Sequence, residues 1–215
     1  MTDASSGRDA DIPAGPGRVA AFDASYEGTP PWDIGHPQPA FLGLARSGSL
    51  AGRVLDIGCG SGEHALMAAA LGLESAGIDS APTAIRRAEH KAAERELVVR
   101  FAVDDARALG SRPFRYDTVL DCGLFHCFDD DERVGFVASL RSALVPGGRY
   151  FMLCFSDRQP GEWGPRRVAR TEIESAFADG WRIDSIEESR IELTYDPEGA
   201  RAWLVAMTRL PAAEG

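Results

Sequence analysis

The chain has 215 residues, 44% of them hydrophobic and 26% charged, a composition that suits one sizeable domain with its own core. Its 33 acidic residues against 23 basic ones give a net charge of −10, which repels phosphate backbones and anionic lipid and argues against nucleic acid or membrane partners. No apolar run approaches the ~20 residues of a membrane span. Residues 1–17 lack a basic-then-apolar export signal, so the cytoplasm is the expected compartment.

Residues 1–17 are small, polar and rich in Gly and Pro, the composition of a disordered tail. Residues 18–50 mix aromatics with turn formers. Four prolines between Pro30 and Pro39 forbid a helix there, yet Trp32 and Ile34 are too apolar for a free linker, so an ordered loop laid over the domain is expected. From Arg53 onward strands and helices alternate. Val54–Ile57 reads as a first strand ending at Gly58-Cys59-Gly60-Ser61-Gly62, followed by an Ala-rich helix over 63–71. Ser75–Asp79 is the second strand. Ser80 is the expected N-cap of a helix carrying Ala84, Ile85, Ala88 and Ala92 as its apolar stripe. Leu97–Val103 and Tyr116–Asp121 are strands three and four, and a helix from Asp130 to Leu144 stops at Pro146-Gly147-Gly148. Arg149–Phe155 is an unbroken apolar run of the kind a central buried strand shows. A polar loop over 156–167, a helix near Thr171–Ala178 and the strand Trp181–Leu193 follow. A turn over Tyr195–Gly199 leads into a last strand that should pair antiparallel with its predecessor. The whole reads as an α/β layer fold.

A strand, a glycine turn, a helix and then an acidic residue after the next strand is the general layout of a nucleotide site. Asp79 lies 21 residues beyond Gly58, where a carboxylate reaches ribose hydroxyls. The spacing Gly58-x-Gly60-x-Gly62 is not the dinucleotide Gly-x-Gly-x-x-Gly, and Asp56 stands two residues before the first glycine. A carboxylate so placed opposes a pyrophosphate by about 1–4 kcal/mol even when screened. It suits instead a ligand with ammonium and sulfonium groups. S-adenosylmethionine carries both, with a ribose for Asp79 and an adenine for which Asp105, after strand three, is the expected acceptor.

These motifs, with Tyr116-Asp117-Thr118-Val119-Leu120-Asp121 and Leu144-Val145-Pro146-Gly147-Gly148, resemble those of class I S-adenosylmethionine-dependent methyltransferases over about residues 50–155. The Pro31-Trp32-Asp33-Ile34-Gly35 and Gly164-Pro165-Arg166-Arg167 segments resemble a small bacterial branch related to thiopurine and halide/thiol methyltransferases and to mycobacterial quinone and heterocycle methyltransferases. The resemblance implies a Rossmann-like, seven-stranded, mostly parallel sheet of order 3-2-1-4-5-7-6, strand seven antiparallel, with helices on both faces. It implies a single domain over 18–215 whose first segment, 18–50, covers cofactor and substrate. It also implies Tyr26 and Trp32 over the cofactor, and Gly58 and Cys59 at its methionine end with Gly60 beside them. Asp79, with Ser80 next to it, falls on the ribose, Asp105 and Ala106 at the adenine, and Cys122 beside the sulfonium.

Methyl transfer is an in-line displacement for which positioning supplies much of the rate, and a base matters only where the acceptor arrives protonated. His126, after strand four, reads either as that base or as a residue that caps the next helix or packs under the cofactor. His64 and His90 read as structural and solvated, and His36 as a loop residue. Asp129-Asp130-Asp131-Glu132 reads as a helix N-terminus and not as a metal cluster. Cys59, Cys122, Cys127 and Cys154 form no Cys-x-x-Cys and read as buried small hydrophobes, so no metal is called for. Trp163 suggests a lid or wall for a flat acceptor, or a loop anchor, and Arg166 and Arg167 either meet an anionic acceptor or face water. The leading expectation is transfer of a methyl group to O, N or S of an aromatic or heterocyclic small molecule by a monomer or homodimer. A thiol or halide acceptor is the alternative within that class. A nicotinamide-dependent oxidoreductase and a silent cofactor-binding module are the alternatives outside it.

Overall fold

Seven strands form one sheet in the computed structural model, which describes residues 17–111 and 114–212. β1 (Arg53–Ile57), β2 (Glu74–Asp79), β3 (Val99–Val103), β4 (Tyr116–Cys122) and β5 (Leu144–Phe155) run parallel. β6 (Trp181–Leu193) and β7 (Asp196–Arg209) close one edge as an antiparallel hairpin. The order is β3-β2-β1-β4-β5-β7-β6 with β7 antiparallel to β5, as the resemblance implies. The expected tail lies, but for Gly17, outside the described residues. No helix among the described residues is long and apolar enough to cross a membrane.

The period-two alternation of strand side chains sorts the core into two layers. Along β5, Tyr150, Met152 and Cys154 join one buried cluster with Phe136 and Leu140 of α5 (Asp130–Ala143) and Ile173 of α6 (Arg170–Ala176). Phe151, Leu153 and Phe155 face the other way, into a cluster with Phe41 of α2 (Pro39–Arg46) and Met67 and Ala68 of α3 (Glu63–Ala70). A strand apolar on both faces must lie mid-sheet, which is where β5 sits.

Between α1 (Arg18–Ser25) and α2 the proline stretch is free of helix up to Gln38, and Pro39 opens α2 where its missing N–H costs nothing. Three local expectations need correcting. Ser80 does not cap α4 (Pro82–Glu94). The N-cap is Ala81, without a side-chain bond, and Asp23 of α1 instead accepts from the Thr83 N–H at 2.7 Å. Pro146-Gly147-Gly148 is not a loop between α5 and β5. It forms an irregularity inside β5, where pairing passes from Tyr116–Leu144 straight to Thr118–Arg149. The β6–β7 turn is Thr194-Tyr195, shorter than expected, because Asp196 already pairs with Leu193. The acidic run after the 3₁₀ turn Phe125–Cys127 is a capping box, with Asp129 accepting from the Glu132 N–H at 2.8 Å.

Candidate active site

The sheet register gathers the expected residues at one edge. Ile57 pairs with both Ile78 and Asp121, and Asp79 pairs with Val103, so the carboxyl ends of β1 to β4 lie side by side. Cys122 pairs with Leu153, two residues from the end of β5. Antiparallel pairing brings the Thr194-Tyr195 turn to the same edge. This is where open α/β sheets bind ligands.

At that edge the glycine loop turns with positive φ at Gly58, Gly60 and Gly62. A Cβ at Gly60 would run into the Tyr26 hydroxyl, and one at Gly62 would lie 2.7 Å from the Phe101 ring, so both positions need glycine for space as well as for φ. Asp79 is half-buried and accepts from the Gly60 and Ala81 N–H groups, each at 2.8 Å. Tyr26 is buried, and its hydroxyl accepts from Trp32 Nε1–H at 2.9 Å. Tyr26, Trp32, Gly60 and Asp79 therefore meet as one group.

Three further fastenings hold the proline segment across this edge. Gln38, 2% exposed, exchanges two hydrogen bonds with the backbone of Glu192 in β6, at 3.0 and 2.9 Å, and the Thr194 N–H donates to Pro31 O at 2.9 Å. Ser61 of the glycine loop donates to Asp33 at 2.6 Å, and Lys91 of α4 donates to Ser61 at 2.6 Å and to Glu63 at 2.8 Å.

The remaining expected residues are placed less simply. Asp56 is fully buried behind the glycine loop. Its Oδ2 accepts from the Ala65 N–H at 3.2 Å, while its Oδ1 has no hydrogen-bond partner and lies 3.9 Å from His64 Nδ1. Burial, reinforced by Asp79, Asp121 and Glu63, pushes its carboxyl up to about 8. Asp121, expected only as a strand end, accepts from the Tyr150 hydroxyl at 2.6 Å and the Leu124 N–H at 2.8 Å, and burial raises it to about 7. Asp105 is exposed, and Arg107 holds it through several bonds and keeps its carboxyl below the usual range. Arg107 continues to Glu132, which also takes Arg18 of α1. Ala106 is buried, its carbonyl accepting from Ser139 Oγ at 2.7 Å. Cys59 is buried and Cys122 half-buried, and burial raises both thiols well above their ordinary range.

His126 sits in the 3₁₀ turn after β4, 7% exposed. Its Nδ1 accepts from the Phe155 N–H at 3.0 Å, which assigns the proton of the neutral ring to Nε2. Burial, with Arg133 and Arg167 nearby, lowers it to about 3. A row of rings runs outward from it: His126 to Phe155 at 5.1 Å, Phe155 to Trp163 at 5.8 Å, and Trp163 to Tyr195 at 6.2 Å, all edge-on. The inner two are buried, whereas Trp163 and Tyr195 are 37% and 53% exposed.

A methyltransferase domain family matches residues 54–148. The 2-heptyl-1-hydroxyquinolin-4(1H)-one methyltransferase of Mycobacteroides abscessus is 37% identical over 181 residues, covering 79% of this chain and 80% of that one. The chain belongs to the S-adenosylmethionine-dependent methyltransferases. A solved structure concerned with conversion of a disulfide bond into a thioacetal group during echinomycin biosynthesis is 37% identical, with a TM-score of 0.82 over 89% of this chain and 93% of that one. At 19% identity, the magnesium protoporphyrin IX methyltransferase of Synechocystis with bound cofactor shares the fold, with a TM-score of 0.62 over 90% of this chain and 80% of that one. Family membership sets aside the nicotinamide-dependent alternative.

The methyltransferase's own residues fit a cationic donor. The unpartnered Asp56 oxygen and the carboxyls of Asp56, Asp79 and Asp121, none of them paired with a Lys or Arg among the described residues, make a patch where a positive charge favours the ionised acids and a phosphate is repelled. Sequence reasoning missed Gln38, Asp33, Lys91 and Asp121 as parts of this site. Only the placement of Asp33 and Gln38 within the Pro/aromatic segment hinted at them. Lys91 and Asp121 read as an ordinary helix charge and a strand end.

Proposed function

We propose that this methyltransferase moves the methyl group of S-adenosylmethionine to O, N or S of a flat aromatic or heterocyclic small molecule. Bound at the glycine loop, the cofactor supplies a methyl carbon on a positively charged sulfur. In this reading Asp79 holds the ribose, its two oxygens keeping acceptor capacity beyond the backbone bonds they already take. The Gly58-Cys59-Gly60 turn receives the methionine end, with Cys122 on the sulfonium side. Asp105 and Ala106 border the adenine, Arg107 fixing the Asp105 carboxylate. Residues 18–50 act as the cover within a single domain, with Tyr26 and Trp32 as its contact. Asp56 acts from behind the loop and not by touch, holding the Ala65 N–H at the start of α3 and losing its proton more readily when the cation is bound.

The observation that carries the acceptor class is the ring row from His126 to Tyr195, which grades from buried to exposed at the edge that holds the glycine loop. Flat apolar faces of this kind suit a planar ligand, and the hydroxyquinolone acceptor named for the Mycobacteroides relative is one. His126 is assigned as a wall residue and hydrogen-bond donor. With Nδ1 occupied and Nε2 protonated it has no lone pair free to take a proton. The test is a labelled-cofactor screen over hydroxyquinolones, quinones, phenols, small thiols and iodide. Turnover confined to planar ring acceptors supports the proposal. Turnover confined to thiols or iodide favours the sulfur-directed reading, for which the echinomycin-related neighbour is the specific support.

A further inference from the structure

Arg167 is the cation that stacks on the ring row. Neighbouring Arg166 pairs with Asp130 and Glu172, and Arg158 pairs with Glu188. Among the described residues Arg167 has no carboxylate within ion-pair distance. Its guanidinium donates only to the carbonyls of Gln159, Gly161, Trp163 and Pro165. It lies over two members of the ring row, 5.3 Å from the centre of Phe155 and 5.5 Å from that of Trp163. On the inner side of the row, Arg133 is 5% exposed, with Nε and Nη2 unpartnered and Glu172 at 3.0 Å and Asp130 at 4.0 Å both on Nη1. Both guanidinium groups act on His126, which meets them as a neutral ring.

A half-buried positive charge stacked on an aromatic wall, without an anion of its own, lacks a counterion. Among the described groups beside the wall, His126 has its Nδ1 occupied, and burial holds the thiols of Cys127 and Cys154, next in sequence to His126 and Phe155, far above thiolate. We propose that Arg167 determines specificity by selecting acceptors that arrive already ionised, with the negative charge on or conjugated to the methyl-accepting atom. The proton leaves to solvent before binding. A lone pair of the anion then forms the bond to the methyl carbon, the carbon–sulfur bond breaks with its electron pair staying on sulfur, and both opposite charges vanish. A site that excludes water favours a step in which charge is annihilated.

This inference rests on the aromatic-acceptor reading, and the test separates the two. The enzyme loaded with S-adenosylhomocysteine is titrated with an inert matched pair, quinoline-4-carboxylate and quinoline-4-carboxamide, as parent, Arg167→Lys and Arg167→Gln. The expected result is a carboxylate preference of about tenfold or more in the parent, largely kept in Arg167→Lys and lost in Arg167→Gln, with S-adenosylhomocysteine affinity equal in all three. Equal affinity for the pair in the parent overturns the inference, as does a preference that survives Arg167→Gln. Should Arg167→Gln lose the loop, seen as weakened binding of both ligands, the parent comparison and Arg167→Lys still decide. A parent that methylates planar acceptors without charge preference refutes this inference alone, whereas one that methylates none refutes both readings.

Discussion

His126 shows what a single side chain's surroundings do to its chemistry. A solvated histidine beside a strand end suits a base, but the Phe155 N–H on Nδ1 and burial leave a neutral donor. Asparagine carries an oxygen where Nδ1 sits, so His126→Asn should keep the Phe155 bond, leave Tm near the parent's and lower kcat/KM about tenfold, the value of one hydrogen bond. A loss beyond about 10³-fold, the range of general-base catalysis, would reinstate the base. Asp56 leads to a pH prediction. Asp56 and Asp121, raised from 3.8 to about 8 and about 7, bind protons more tightly folded than unfolded, so the stability they contribute is lost as pH rises through those values. His64 and His126, lowered from 6.5 to about 4 and about 3, act oppositely, but only below 6.5. The two pairs offset each other between about pH 4 and 6.5, and the carboxyls act alone above. Tm of the ligand-free chain should therefore fall between pH 6.5 and 8, and Asp56→Asn should flatten that fall. An unchanged slope in Asp56→Asn contradicts the burial of an ionisable Asp56.

Elements carry the site through contacts between segments far apart in sequence. Gly60 has φ +52 and the Tyr26 hydroxyl where a side chain would go, so Gly60→Ala should cost about 1–3 kcal/mol and weaken cofactor binding by displacing Tyr26. Chemical melting and calorimetry check both effects. Asp23→Ala removes the acceptor at the start of α4 and should cost about 1 kcal/mol, measured as a lowered denaturant midpoint. These two sites also mark what could be read beforehand. The β1–glycine turn–α3 unit and the acids at strand ends were legible because their signals are local: a two-residue period, then glycines, then a helical stripe. The cap of α4 was not, because Asp23 lies 60 residues from Thr83 and only folding brings it there. Asp105 was found by position, but its partner Arg107 shows a carboxylate already engaged.

At the scale of the whole molecule, seven strands in the implied order place five strand ends, a proline segment and a hairpin turn at one edge. Acid gathers on the glycine-loop side and aromatic rings, with Arg167, on the other, so the site is polar in the electrical sense, and the proposed planar acceptor falls on the side away from the acid. The order and the cofactor side followed from motifs. The ring row did not, because His126, Phe155, Trp163 and Tyr195 come from four separate segments whose approach depends on the antiparallel return of β7. The most direct test is a crystal structure with S-adenosylhomocysteine and 2-heptyl-1-hydroxyquinolin-4(1H)-one together. The expected result is the ribose on Asp79, Tyr26 and Trp32 closed over the cofactor, and the quinolone ring against Phe155 and Trp163. A ribose away from Asp79, or a quinolone bound elsewhere on the chain, contradicts the arrangement described above.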